Sequence, residues 1–309
     1  MIQMRKRWKN IVYLSTLLFV FFFTKIIWAE DGFRFVVAGD TRGQETVINN
    51  GTIGRFINLA EKLDPKPSSI VFVGDQVLNG GKEELEIFKK AVEPLSLKGI
   101  GIYPLIGNHE LKIGRRGELD FVKVFDLPRN GPKGYEELVY YVKGPNVLLV
   151  ILDAYKYKGM WKTKNKIDSE QMQWLKKVLE ENPKGYKFVF SHSPAYPVGQ
   201  HTGSSLDYRP RSRDQFWSIL VEEKVSAYFC AHEHIYSKRI IDAEENPAWT
   251  IAIPQFIIGT IGAPIQPGQK ESSEKFIPTY NFAVVDVYQD KFEVKVYDLD
   301  GMLIDHYED

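Results

Sequence analysis

The chain has 309 residues, 44% of them apolar, with 40 basic and 40 acidic side chains and one cysteine. That length suits one large or two modest domains, and that composition can fill a sizeable core. The balanced charge lacks the electrostatic footprint of a nucleic-acid binder, and a lone cysteine, Cys230, excludes an internal disulfide framework.

Arg5, Lys6, Arg7 and Lys9 precede an uncharged run from Ile11 to Thr24; Lys25 interrupts it, and Ile27-Trp28-Ala29 ends on a small residue before Glu30-Asp31. Basic flank, short apolar stretch and small-residue exit compose a secretory signal. Ile11 to Ala29 also approaches the roughly 20 apolar residues that span a bilayer. Residues 1–29 therefore read as a cleaved signal peptide or an N-terminal membrane anchor, with anchoring carried by residues 11–29. Either way the positive-inside rule leaves the remainder outside the cytoplasm, whether periplasmic, secreted or membrane-anchored. Residues 1–29 hold five basic and no acidic side chains, so 35 basic and 40 acidic ones remain beyond them. A mildly acidic exported part again argues against nucleic acid as a partner.

No Pro/Gly/Ser linker divides residues 30–309, which read as a single domain. Phe33–Ala38, Ser69–Val73, Ile100–Ile106, Val147–Leu152, Tyr186–Phe190 and Ser226–Cys230 are short apolar runs of the kind that form buried strands. Amphipathic helical patterns lie between them. Ser169-Glu170-Gln171-Met172 opens one as a capping sequence, and Met172, Leu175, Val178 and Leu179 supply its apolar stripe. Past residue 240 the helical periodicity ends. Phe256–Ile258, Asn281–Tyr288 and Lys291–Asp298 alternate as strands, the last two joined by a hairpin at Gln289-Asp290. The pattern is that of an α/β layered protein whose last quarter is mostly strand.

The strands end on chemistry. Their exits carry Gly39-Asp40, Gly74-Asp75, Gly107-Asn108-His109-Glu110, Ser191-His192 and His232-Glu233-His234. In an open α/β sheet the carboxyl ends of strands line the ligand crevice. Asp40, Asp75, Asn108, His192, His232 and His234 form an oxygen-and-nitrogen set without sulfur, suited to Mn, Fe, Zn or Co. Gly-Asp after a strand is commonly only a turn, and Asn before His-Glu could cap a helix. Five such endings in the same position relative to a strand are a different matter.

Their order and spacing resemble the calcineurin-like metallophosphoesterases, whose pattern runs Asp-x-His, Gly-Asp, Gly-Asn-His-Glu/Asp, a lone His, then Gly-His-x-His. The segments Tyr140 to Asp153, Gln173-Trp174-Leu175, His192-Ser193-Pro194 and Ala231 to Tyr236 are similar to the purple-acid-phosphatase-like branch. The resemblance implies a four-layer α/β/β/α fold, a central β-sandwich of mixed sheets flanked by helices. It also implies two divalent metal ions. Asp75 would bridge them, Asn108, His192 and His232 would complete one, and Asp40 and His234 would hold the other. Such a pair, ~3.5–4 Å apart, acidifies a bound water and stabilises both oxygens of an in-line displacement. His109 would protonate the leaving oxygen or bind the phosphoryl group, its ring oriented by Glu110 or a backbone group.

Two positions depart from that pattern. Arg42 stands where the first motif has histidine, and arginine stays protonated and cannot ligate a metal. The purple-acid-phosphatase branch tolerates that loss but gains a tyrosine ligand three residues after the second motif's Asp; here the position is Leu78. The second metal is thus one protein ligand short, with Gln44, Gln76, Asn79 or water to fill the gap. Arg42 suits a substrate phosphate oxygen or a salt bridge at the rim. The basic residues of 111–134 and 193–213 follow the ligand positions directly and can overhang a substrate, although a solvated surface explains most of them.

The expected activity is metal-dependent hydrolysis of phosphoesters, monoesters of small phosphorylated compounds first. A phosphodiesterase or pyrophosphatase on the same site, or a binding module retaining the fold around a degenerate site, are the alternatives.

Overall fold

The computed structural model describes residues 32–309 except 156, 159, 160, 163 and 164. The signal or anchor expected at residues 1–29 lies outside the described residues. Among those described, no helix is long and apolar enough to cross a membrane.

In chain order the elements are β1 (Phe33–Ala38), α1 (Asn50–Ala60), β2 (Ser69–Phe72), α2 (Lys82–Leu97), β3 (Gly101–Pro104), α3 (Arg115–Val124), β4 (Tyr140–Gly144), β5 (Val147–Ile151), β6 (Tyr157–Lys158), β7 (Trp161–Lys162), α4 (Ser169–Glu180), β8 (Tyr186–Phe190), α5 (Pro210–Glu222), β9 (Ala227–Cys230), β10 (Tyr236–Ile241), β11 (Ile253–Ile258), β12 (Lys275–Ile277), β13 (Asn281–Val287), β14 (Phe292–Asp298) and β15 (Leu303–Glu308). Of the two large sheets, one runs β15-β14-β13-β1-β2-β3 and the other β12-β10-β11-β9-β8-β5-β4; β6 and β7 pair only with each other. Within them β1-β2-β3 and β5-β8-β9-β11 are parallel runs, each extended by antiparallel strands.

The sheets pack face to face through aromatic rings. Phe35 of β1 meets Phe188, Phe190 and Phe229 of the other sheet at centroid distances of 5.1, 6.1 and 6.3 Å. On the outer face of the first sheet, Phe56 of α1 and Phe88 of α2 cover Phe72 edge-on. On the outer face of the second, Phe216 and Trp217 of α5 cover Tyr228. The layers are helix, sheet, sheet, helix, as the motif resemblance implied. Strands covered on both faces read as continuous apolar runs rather than alternating ones, and β2, β5 and β9 are buried at every position.

Two local readings change. Asp168, not Ser169, caps α4, its side chain accepting from the Gln171 N–H at 3.1 Å; Met172, Leu175, Val178 and Leu179 form its buried stripe as the periodicity predicts. The hairpin after β13 is present, with Val287 opposite Phe292, but β15 adds a third strand beyond it that the polar run Leu303–Glu308 had not signalled. Cys230 is fully buried, its thiol pushed up by burial and directed at the Phe256 carbonyl.

Candidate metal centre

Both parallel runs finish at one crevice, and their last turns aim side chains across it. Asp40, Asp75 and His232 each take a positive φ, of 50°, 52° and 72°. This left-handed region is uncommon outside glycine and costs free energy; here it turns the chain sharply enough to point the side chain back over the strand ends. The glycines beside them leave room for close approach. A Cβ on Gly74 would strike the His192 ring, and one on Gly107 would strike Asp75 Oδ1 and its backbone nitrogen.

The result is a convergence of acceptors. His192 Nδ1 lies 2.8 Å from the Val73 carbonyl, so it must carry a proton and donate it there, which leaves Nε2 as the atom turned inward and able to ligate once deprotonated. Nε2 faces Asn108 Oδ1 at 3.2 Å and Asp75 Oδ1 at 3.4 Å. His234 repeats the device, donating from Nδ1 to the Pro264 carbonyl at 2.8 Å and turning Nε2 toward Asp40 Oδ1 at 3.5 Å. Asp40 Oδ1 is buried without a hydrogen-bond partner. Ligand atoms of Asp75, His192 and His232 lie within 4.8 Å of one another, as do those of Asp40, Asp75 and His234. Carboxylate, amide and imidazole atoms gathered in this way suit a cation; in the second group the Arg42 Nη2 already stands 3.4 Å from His234 Nε2. The residues present therefore fit a divalent ion at the Asp75-Asn108-His192-His232 group.

Two of the three rings are already in the metal-binding form. Burial, then the charge of His192, holds the His232 ring well below the usual histidine range. Burial and the Arg42 guanidinium push His234 down to about 3. Both rings are neutral near pH 7, the form that binds metals. Burial drives Asp40 up to about 7. His192 differs: burial opposes its protonation, but the Asp75 carboxylate outweighs it and pushes the ring up to about 9, so an ion binding at Nε2 would displace a proton. Asp75 is held well below the ordinary carboxylate range by His192 against its own burial.

His109 stands beside this group without belonging to it. Its Nδ1 donates to the Leu78 carbonyl at 2.8 Å and its Nε2 lies 3.8 Å from Asp75 Oδ2. The ring is thus oriented by a backbone carbonyl, not by Glu110. Glu110 instead accepts from the backbone N–H groups of Asp75, Val77 and Gly107 at 3.0, 3.1 and 2.7 Å, tying the second and third motifs together. Glu233 works in the same way on the opposite side, accepting from Val198, Gly199 and His201 N–H at 2.7, 2.8 and 3.1 Å. It fixes the 193–213 loop so that the His201 ring lies against His232, with centroids 3.8 Å apart. His201 belongs to the basic 193–213 segment, and its proximity comes from Glu233, which holds its backbone N–H. Among the loop basic residues, Arg116, Arg129 and Arg213 pair with Asp120, Glu137 and Asp214, which is surface chemistry. His306 is on edge strand β15, 3.7 Å from Glu293.

Arg42 enters the crevice rather than the rim. Its Nε is 3.8 Å from Asp75 Oδ2, its Nη2 3.4 Å from His234 Nε2, and its Nη1 donates to the Gly43 carbonyl at 3.2 Å. Gln44 is exposed, Asn79 donates to Glu84, and Gln76 donates its amide nitrogen to the Phe72 and Leu105 carbonyls while its Oε1 is buried without a hydrogen-bond partner.

Strand-end carboxylates and histidines on a double-sheet sandwich define a metallophosphoesterase. Residues 33–236 match the calcineurin-like phosphoesterase family, and the chain belongs to that family of phosphoric ester hydrolases. It is 26% identical over 207 residues to a probable glycerophosphodiester phosphodiesterase of Arcobacter nitrofigilis, covering 62% of this chain and 67% of that protein. It is 24% identical over 232 residues to rabbit (Oryctolagus cuniculus) tartrate-resistant acid phosphatase type 5, covering 67% of this chain and 69% of that protein. Among solved structures, a purple acid phosphatase from yellow lupin seeds superposes with a TM-score of 0.71 at 15% identity, over 90% of this chain but only 53% of that one. The Plasmodium protein GAP50, described as an anchor in the inner membrane complex, superposes at 0.59 with 14% identity over 90% of this chain and 88% of that one. Such distant likenesses establish the fold alone.

Proposed function

We propose that the chain hydrolyses phosphate monoesters at a metal centre built on Asp75, Asn108, His192 and His232. The observation that carries this reading is the convergence of lone pairs on that point, with His109 and Arg42 beside it. A bound divalent ion would supply Lewis acidity and an acidified water. The chain's own groups do the rest. Arg42 binds a phosphoryl oxygen with its planar fork. His109, with Nδ1 anchored on Leu78, is free to present Nε2 to the leaving oxygen. The cations Arg42 and Lys112, the latter's ammonium depressed by burial and by Arg42, favour a dianionic monoester over a singly charged diester.

The relative in Arcobacter, a probable phosphodiesterase, gives the diester reading its support. Hydrolysis of aryl phosphate monoesters against bis-aryl diesters, with Mn, Zn, Co and Fe each supplied, separates the two. A higher kcat/KM on monoesters is expected. Preference for diesters reassigns the substrate, and no hydrolysis of either leaves the fold serving as a binding module.

The reaction takes place outside the cytoplasm. The basic flank Arg5 to Lys9 ahead of the apolar run 11–29 supports this location. A periplasmic phosphatase reporter fused after residue 31 should be active, and an inactive fusion rejects the topology.

A further inference from the structure

We infer that the Arg42 guanidinium occupies the second cation position, so that the protein holds one divalent ion per chain rather than two. This rests on the proposed metal centre and deepens it. The second acceptor group consists of Asp40, Asp75 and His234. Asp75 is shared with the first group, which leaves one carboxylate and one imidazole, Asp40 and His234, that serve a second ion alone. Arg42 is already there. Its Nη2 is 3.4 Å from His234 Nε2, and its Nε is 3.8 Å from Asp75 Oδ2.

The guanidinium is held in place, not swinging in from solvent. The Arg42 backbone N–H donates to the Asp75 carbonyl at 3.2 Å, Nη1 donates to Gly43, and the side chain is only 13% exposed. Its charge is permanent, so a divalent ion entering the Asp40-Asp75-His234 group meets like-charge repulsion at close range. Leu78 offers an apolar side chain, and its carbonyl is taken by His109. Gln76 and Asn79 spend their amide nitrogens on the Phe72 and Leu105 carbonyls and on Glu84; Gln76 Oε1 is buried without a hydrogen-bond partner, but any ion it helped to hold in this group would still face the Arg42 charge.

The two groups thus differ in kind. Around His192 the acceptors converge with no positively charged side chain of permanent charge between them. Around His234 one is supplied by the chain. A buried donor without a partner, Arg42 Nε, and a buried acceptor without one, Asp40 Oδ1, lie in this same group. A phosphoryl oxygen entering there would accept from the Arg42 fork, as it would otherwise bind a second metal. Arg42 is therefore both a substrate contact and the device that sets metal stoichiometry.

The test is metal content and electron paramagnetic resonance of the full chain, stripped of metal and titrated with Mn²⁺. The parent should bind one tight Mn²⁺ per chain with the signal of an isolated ion, and Arg42→Lys should do the same. Arg42→His should bind two, giving an exchange-coupled signal, with the second ion tightened by at least about 100-fold once the unit charge about 4 Å away is gone. Arg42→Ala should admit a second ion with intermediate affinity. Circular dichroism checks that each variant is folded. Two tight, coupled ions in the parent, unaffected by Arg42→Ala, would overturn the inference while leaving the metal centre intact. No tight ion in the parent would overturn both.

Discussion

Asp75→Ala should cost the protein its metal and its turnover together. Its carboxylate belongs to both acceptor groups, and Oδ1 also accepts the His109 backbone N–H at 2.9 Å. Loss of a hydrogen-bonded neighbour alone weakens metal sites by about 10–100-fold, so removal of the shared carboxylate should exceed the upper end of that range. Transition-state charge would then face uncompensated acceptors, and kcat should fall at least about 10³-fold. Asp75→Asn is the informative companion. It preserves size and the bond to His109 while removing the charge, so similar losses in both variants assign the effect to the carboxylate. An Asp75→Ala protein with full metal content and activity would remove the basis for the site.

His109→Asn should separate chemistry from metal binding. The ring is within reach of the crevice but spends Nδ1 on Leu78, and its nearest group in the cluster is Asp75 Oδ2 at 3.8 Å. Metal content should be unchanged. For alkyl phosphates, whose leaving oxygen needs a proton, kcat should drop by roughly 10²–10⁴-fold, and for activated aryl esters by much less. The sign of the pH dependence comes from the same group. Burial lowers the pKa of His109, and only the protonated ring can donate from Nε2. The parent's rate on alkyl esters should therefore decline as pH rises past the His109 pKa in the substrate complex. That alkaline limb should be missing in His109→Asn. Equal losses for every leaving group, with the limb retained, would make His109 a positioning residue only.

The layer architecture and the residues gathered at the strand ends were legible because strands buried on both faces are continuous apolar runs, and a polar residue at the end of such a run is conspicuous. Asp40, Asp75, Asn108, His192, His232 and His234 all come after one. The supporting residues were less visible. Glu110 and Glu233 sit inside recognisable motifs, yet apart from the Glu110 contact to Gly107 the backbone N–H groups they hold are 32 to 35 residues away in sequence. No local spacing encodes that. His201 reaches His232 only because Glu233 folds its loop inward. Arg42 could be identified as a departure from the motif, but its direction depends on the positive φ of Asp40 and on the Asp75 carbonyl that anchors its backbone. The β15 strand was hidden by its polar outward face, which is what an edge strand needs to avoid pairing with other chains.

The proposed phosphoester hydrolysis depends on an ion held by the Asp75 group. That dependence is tested most directly by stripping the full chain with a chelator, verifying the loss of metal, and assaying aryl phosphate hydrolysis before and after adding one equivalent of Mn²⁺ or Zn²⁺. The expected result is negligible turnover in the stripped protein, restored by a single equivalent in the parent and not in Asp75→Ala. Undiminished hydrolysis by verified metal-free protein would contradict the claim.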